Sequence, residues 1–350
     1  MAAADATLHW LAPRSFPYSM PLTQSYRRRA GPSALRRAAG TLLAAALTAV
    51  LAVTVAPFFR GALPILGLFQ HFAAQIGAVA AILLLMLLLL RMWRRAFVAL
   101  LLTGWYGLAL YPFLPVSMAT PTQDAVTAER PLKLLSLNLW YQNKNRAATL
   151  PALIASGADM IGTVETTANW RDRLKALAPV YPYHVDCVDK TFRCGVSIYS
   201  KIPFKAVFAD RIDGQLPTIV SATIDWQGRP LTIAELQLIN PLIGVEQDFQ
   251  ARQAAVAERY FAALPGDLVV MGDFNSAPWS ALQTDFRAAT GLDNRGRLAF
   301  TWPSWAPAIF RLPIDQIFVR GAVVARNVRP GLPMGSDHLP ITGEIYREAQ

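Results

Sequence analysis

Val269-Val270-Met271-Gly272-Asp273-Phe274-Asn275 is the stretch on which the reading of this chain turns. An apolar run with strand character ends in a glycine and delivers a carboxylate and a carboxamide to the mouth of a sheet. Asp273 offers a charged acceptor. Asn275 adds a neutral donor and acceptor two residues on, pointing the same way if the strand continues. Such a pair can hold and orient a water, a metal or a phosphate oxygen. Alone the signal is weak, because Gly-Asp-x-Asn is also a favourable β-turn.

Its company gives it weight. Leu132 to Leu137 reads as an apolar strand ending at Asn138, and Asp159 to Val164 as a second strand followed at once by Glu165. Ile314-Asp315-Gln316-Ile317-Phe318-Val319 carries one acid inside a strand-like run, and Gly335-Ser336-Asp337-His338-Leu339-Pro340 lies near the C-terminus. Each places an acid, an amide or an imidazole at a strand end or turn, where functional sites are built. In this order, over about Leu132 to Tyr346, the motifs resemble the endonuclease/exonuclease/phosphatase superfamily. That is the fold of pancreatic-type deoxyribonucleases, AP endonucleases, neutral sphingomyelinases and inositol-polyphosphate phosphatases. Thr301-Trp302-Pro303 and Tyr181-Pro182-Tyr183 also look like bacterial members of the group.

The resemblance implies an α/β fold, a two-sheet, four-layer α/β sandwich (DNase-like), with the site at one end of the paired sheets. It implies hydrolysis of a phosphate ester with Mg²⁺ or Mn²⁺ as cofactor, Glu165 and Asn138 at the metal, and Asp337 adding a contact. Phosphodiester cleavage needs charge neutralisation on the phosphoryl oxygens, an oriented water and proton management. A hard divalent cation prefers carboxylate oxygens for the first task. Asp273 is the candidate for holding the attacking water, and Asn275 for orienting water or phosphate. His338 is the candidate for contacting the phosphate or moving a proton, with Asp315 fixing its tautomer.

One position departs from the family pattern. Many relatives end the strand matching Leu231–Leu236 in a histidine, where this chain has Gln237. A carboxamide donates a hydrogen bond but cannot transfer a proton. Glu235 shares a face with Gln237 only if that strand runs on. Two readings therefore stay open: a metal-dependent phosphoric ester hydrolase of nuclease, phosphodiesterase or phosphatase type, and a catalytically impaired phosphate-binding pseudoenzyme of the same fold. The expected partner is a phosphate-ester substrate (nucleic acid, phospholipid headgroup or sugar phosphate), and no protein partner is implied.

Composition adds a second half to the chain. With 350 residues, 53% apolar content and a mean hydropathy of +0.30, this is not one ordinary soluble domain. The excess lies before residue 116. Thr41 to Phe59, Ile65 to Leu90 and Ala96 to Leu114 are three runs that reach the ~20 residues needed to cross a hydrocarbon core. A signal peptide has one such run, and a shorter one. Arg27, Arg28, Arg29, Arg36 and Arg37 precede the first run, and Arg91, Arg94 and Arg95 separate the second from the third. By the positive-inside rule those segments are cytoplasmic. The expected location is a multi-pass inner (plasma) membrane protein in contact with the lipid bilayer, its C-terminal domain periplasmic or extracytoplasmic.

The basic balance belongs to this topology. Residues 1–118 hold 10 of the 33 Lys and Arg and one of the 23 acids, leaving 23 bases against 22 acids in residues 119–350. The exported part thus carries no compositional footprint of nucleic-acid binding. The organisation expected is a disordered cytoplasmic tail at 1–40, three transmembrane helices at 41–114, a linker at 115–131 and the catalytic-type domain at 132–350. Met20 is a second candidate start. Cys187 and Cys194, the only cysteines, flank a turn-like insert between two strands, and in an oxidising compartment they are expected to pair.

Overall fold

A computed structural model of the chain describes residues 34–113, 130–188, 195–211, 218–241, 249–294 and 298–348. The chain divides into two units, Met1–Leu42 and Leu43–Gln350. Of the first, the described part is the opening of helix α1 (Ala34–Val55). Residues 34–40, read from sequence as tail, are therefore helical. Ala34, Leu35, Arg36, Arg37, Ala38 and Ala39 are all strong helix formers, so the apolar helix extends backwards through them.

Three stretches are long and apolar enough to cross a membrane: Ala34–Phe59, Ile65–Leu89 and Trp93–Phe113. Leu43, Leu47 and Val50 of α1 pack with Ala80, Leu83 and Leu87 of α2 (Ala73–Leu89) and with Ala96, Ala99 and Leu102 of α3 (Trp93–Leu110). Many of their other large side chains, among them Leu42, Leu85, Leu89, Leu101 and Leu108, face outward. The second apolar run is not α-helical throughout. Pro64–Phe72 forms a 3-10 helix, with Pro64 fixing its start. Its polar residues are bound to the rest of the molecule: Gln70 accepts from Trp279 Nε1 and from Ala281 N, and His71 Nδ1 accepts from Ala277 N.

From Leu132 the chain builds two sheets. One has six strands in the order β10-β11-β1-β2-β4-β3 and the other five, β5-β6-β7-β8-β9. In chain order these are β1 (Leu132–Asn138), β2 (Met160–Val164), β3 (Tyr183–Val188), β4 (Gly195–Ser200), β5 (Phe204–Arg211), β6 (Thr218–Trp226), β7 (Arg229–Gln237), β8 (Leu268–Asp273), β9 (Asp315–Arg320), β10 (Val323–Pro330) and β11 (Ile341–Arg347). The pairs β1–β2 and β7–β8 are parallel and the rest antiparallel. Strands β5 and β10 have no counterpart in the sequence reading.

Strand alternation explains the layers. Leu132 and Leu134 of β1, Val269 and Met271 of β8, and Ile317 and Val319 of β9 enter the core between the sheets. Their neighbours face outward and are covered by helices. Leu135 and Leu137 pack under α4 (Arg146–Ala155) and α5 (Ala168–Leu174), against Leu153, Trp170 and Leu174. Val270 and Phe318 pack under α6 (Phe249–Ala263) and α7 (Ala281–Thr290), against Phe261 and Phe286. The result is helix, sheet, sheet, helix: the four-layer DNase-like sandwich.

Cys187 lies on β3. Cys194 and the insert before it lie outside the described residues, as do most of the linker and residues 1–33. Among the described residues no cysteine is free.

Candidate active site

The alternation that fills the intersheet core also aims the polar strand ends. Asn138, Gln237, Asp273 and Asp315 are each in step with inward-facing apolar residues of their own strand, so all four point between the sheets. In the ladder Gln237 is level with Asp273, and Asp273 with Asp315. Since β9 and β11 run opposite to β8 and β1, the start of β9 and the loop before β11 reach the same end of the sandwich. That loop brings Asp337 and His338.

The side chains converge. Asn138 Nδ2 donates to Glu165 Oε1 at 2.9 Å and to Asp273 Oδ2 at 3.1 Å. Glu165 Oε1 also accepts from Gln237 Nε2 at 3.2 Å, and Glu165 Oε2 from the Tyr141 amide at 2.9 Å. Asp273 accepts from the Asn275 amide at 2.8 Å and from Asn275 Nδ2 at 3.1 Å. His338 Nδ1 is 2.9 Å from Asp315 Oδ2, while its Nε2 faces Asp273 Oδ2 at 3.9 Å. Asp337 stands to one side, its Oδ2 3.4 Å from Trp302 Nε1. All eight sequence-predicted site residues outside the cysteines thus meet at one place.

Backbone geometry makes this possible. Gly272 has φ +135°, and a Cβ there would fall 1.9 Å from the Leu236 carbonyl oxygen of the neighbouring strand, so only glycine fits. Glu165 and Asn275 take left-handed φ values of +55° and +47°, turning each side chain back over the strand end it leaves.

Several positioning groups escaped the sequence reading. Ser336 Oγ donates to the Asn138 carbonyl at 2.6 Å and accepts from the His338 amide, pinning the histidine loop to β1. Thr301 Oγ1 donates to Asp315 Oδ2, the oxygen that also meets His338. Gln250 of α6 donates to the carbonyls of Ile239, Phe274 and Asn275, tying the Asp-Phe-Asn turn to the exit of β7. These contacts bridge segments far apart in sequence, and only the Thr301 motif carried any local signal.

Electrostatics divides the acids. Burial, reinforced by Asp315, pushes Asp273 up to about 7, although His338 and the amides of Asn275 and Asn138 pull the other way. For His338, only 4% exposed, burial opposes a charge, but Asp315 and Asp273 outweigh it and push the imidazole up to about 10. Burial raises Asp337 as well, with His338 offsetting part of the effect. Glu235 shares the inward face with Gln237, but it is fully buried beneath the site. It accepts from Ser136 Oγ, and burial holds it well above the usual carboxylate range. Its Oε2 would lie 1.8 Å from a Cβ at position 162, which is why Gly162 is required opposite it. Glu235 thus lies in the core beneath the site and does not stand in the place of the histidine.

Two groups of side chains offer themselves to a cation. Asp273, Asp315 and His338 have ligand atoms within 4.8 Å of one another. His338 Nδ1 is committed to Asp315, so of that imidazole only Nε2 is left to a metal. Glu165 is the less buried carboxylate and offers hard oxygens beside Asn138, with Asp337 close enough to feel its charge. That donor set fits Mg²⁺ or Mn²⁺, which bind one or two carboxylates and keep several waters.

The comparisons agree with the geometry. The model of the Endonuclease/Exonuclease/phosphatase family matches residues 135–338, and members of this family hydrolyse phosphate esters and typically use a divalent metal. Among solved structures, D. rerio TDP2 complexed with single strand DNA product is similar at TM-score 0.51 and 17% identity, covering 62% of this chain and 99% of that one. A functionally unknown conserved protein from Enterococcus faecalis V583 gives TM-score 0.52 at 14% identity, covering 62% and 100%. An endonuclease/exonuclease/phosphatase from Beutenbergia cavernae DSM 12333 gives 0.50 at 17%, covering 63% and 72%. These likenesses concern the fold alone. No curated protein matches the sequence. With a family match across more than half its length and polar strand ends gathered at one end of a four-layer sandwich, this chain belongs to the Endonuclease/Exonuclease/phosphatase family.

Proposed function

We propose that the chain is a membrane-anchored, divalent-metal-dependent phosphoesterase, a phosphodiester hydrolase in its expected form, with its catalytic domain on the extracytoplasmic side. The observation that carries the reading is the convergence of Asn138, Glu165, Gln237, Asp273, Asn275, Asp315 and His338 from separate strand ends. Glu165, with Asn138 and Asp337, would hold Mg²⁺ or Mn²⁺, which supplies charge neutralisation on the phosphoryl oxygens. Asp273 accepts the proton of the attacking water, a task suited to a carboxylate raised to about 7. Asn275 fixes one oxygen of Asp273 and so the direction in which the carboxylate accepts. His338, kept charged by Asp315, donates from Nε2 to the phosphate as negative charge builds there. Gln237 supplies a neutral hydrogen bond at the mouth.

The membrane part of the proposal rests on the three apolar helices and on the arginines that flank them. Extracytoplasmic placement makes the Cys187–Cys194 disulfide the expected state of both thiols. One observation favours a second reading, the phosphate-binding pseudoenzyme: Gln237 cannot protonate a leaving group, and its amide is turned onto Glu165. The deciding experiment uses the full chain in detergent against a panel of phosphodiesters and phosphomonoesters with Mg²⁺, Mn²⁺ or chelator. Metal-dependent hydrolysis lost in Asp273→Asn supports the enzyme. No hydrolysis by the native chain or by Gln237→His would leave the pseudoenzyme.

A further inference from the structure

The loop from Thr301 to Leu312 is built into the site at its base. Trp302 Nε1 reaches Asp337, the Ser304 amide donates to the Asp337 carbonyl at 2.7 Å, and Ser304 Oγ donates to the Ser336 carbonyl at 2.7 Å. Its tip is different. Trp305, Ile309 and Phe310 are 82%, 73% and 60% exposed, and Pro307 and Ala308 between them are exposed too. The one charged residue between Thr301 and Leu312, Arg311, turns inward, donating to the carbonyls of Ala306 and Ser304. Single exposed apolar side chains are ordinary, but a contiguous uncharged cluster marks an interaction surface.

What covers this tip follows from where it is tied. Gln75 Nε2, in the first turn of α2, donates to the carbonyls of Ile309 at 3.4 Å and Arg311 at 3.1 Å. Gln75 is the last polar side chain of the second apolar span. Gln70 and His71 before it also bind the catalytic domain, and from Ile76 to Leu90 the sequence is wholly apolar. Gln75 therefore lies where the second span meets the domain, and the backbone bonded to it sits against the outer part of that span. Phe113, where the third span ends, meets Trp279 of the same domain edge-on at 6.0 Å. Two spans thus end against one face of the domain, and Trp is the side chain most at home at a membrane–water interface.

We propose that Trp305, Ile309 and Phe310 insert into the interfacial layer of the bilayer that the chain's own helices span, and that the substrate is the phosphate ester of a lipid headgroup, hydrolysed without leaving the membrane. The substrate assignment rests on the phosphoesterase and anchoring readings above. The test uses the full chain in vesicles of equal parts phosphatidylcholine and phosphatidylglycerol. Lipids brominated near the headgroup should quench the fluorescence that native protein shows over Trp305→Phe. Quenching of that difference by aqueous acrylamide instead overturns the insertion.

The second arm compares Trp305→Ser/Ile309→Ser/Phe310→Ser with native protein. Its rate on vesicle phospholipid should fall at least about tenfold, since interfacial binding scales with buried apolar area, while hydrolysis of soluble bis-p-nitrophenyl phosphate is retained. Native protein that cleaves the soluble ester and no phospholipid overturns the lipid assignment alone. Hydrolysis of neither overturns the phosphoesterase reading and the substrate with it, and the quenching still decides the insertion.

Discussion

Asp315→Asn isolates the charge that sets the state of His338. In the native chain Asp315 Oδ2 lies 2.9 Å from His338 Nδ1, and Asp273, at 3.9 Å from Nε2, is the next carboxylate. The mutation keeps shape and removes the nearer charge. A hydrogen bond to a charged group contributes about 1.5–3 kcal/mol, and one pKa unit is 1.36 kcal/mol, so His338 should fall from about 10 by about 1–2 units. The proposed chemistry needs Asp273 ionised and His338 protonated. Activity should therefore rise with pH through about 7 and decline as pH climbs through about 10. In Asp315→Asn the alkaline limb should move down by those about 1–2 units. The acid limb should move down too, because Asp315 also raises Asp273. Initial rates on a soluble phosphodiester across pH 5–11 read both limbs. Titration of the histidine Cε1 resonances, of which the chain has only four, reads His338 independently of turnover. An alkaline limb and a His338 titration left near 10 in the variant would refute the charge pairing.

Gln237→His should raise the rate most on substrates with poor leaving groups, because it restores a proton donor where Gln237 offers only a hydrogen bond; equal gains on good and poor leaving groups would count against that role. Glu165→Gln should weaken Mg²⁺ binding by at least about the 10–100-fold that losing an outer partner of a metal costs, and calorimetric titration with the metal alone would show it. Arg347→Met should destabilise the domain by about 3–5 kcal/mol, because the Asp267 carboxylate, 9% exposed, keeps only the Ala322 amide and the half-exposed Arg229 beside it; an unchanged urea midpoint, read by Trp fluorescence, would contradict this. A reporter fused after Gln350 should be active only outside the cytoplasm, and Cys187 and Cys194 should resist thiol labelling until reduced.

The strands bearing Asn138, Gln237, Asp273 and Asp315 were legible because each is buried along most of its length and reads as an apolar run, even β9 at the edge of its sheet. Strands β5 and β10 were not, and the reason is the charge they carry. Both lie at sheet edges, where Lys205, Asp210, Arg211, Arg326 and Arg329 interrupt the run, and β10 carries an irregularity between Arg326 and Arg329. The site residues were legible as strand-end acids and amides, but their mutual bonds were not. Ser336 reaching Asn138, or Gln250 reaching the carbonyls of Phe274 and Asn275, joins segments that local pattern cannot relate. Glu235 shows the limit from the other side. Strand alternation places it with Gln237, yet only its depth beneath Ser136 shows that it stays away from solvent.

The bonds from Gln70 and His71 to Ala277, Trp279 and Ala281 bear on how this protein could ever be cut or rebuilt. The segment they cap follows directly on the Asp-Phe-Asn turn. Removing the segment that ends at Phe113 would strip two backbone amides and an indole N–H of their acceptors, and lay bare the Trp279 face that Phe113 covers. A fragment beginning after residue 131 would lack those partners. For the same reason, a chimera that exchanged these helices for unrelated ones would carry the loss into the segment that follows Asn275. Here the apolar helices serve as part of the domain's own scaffold.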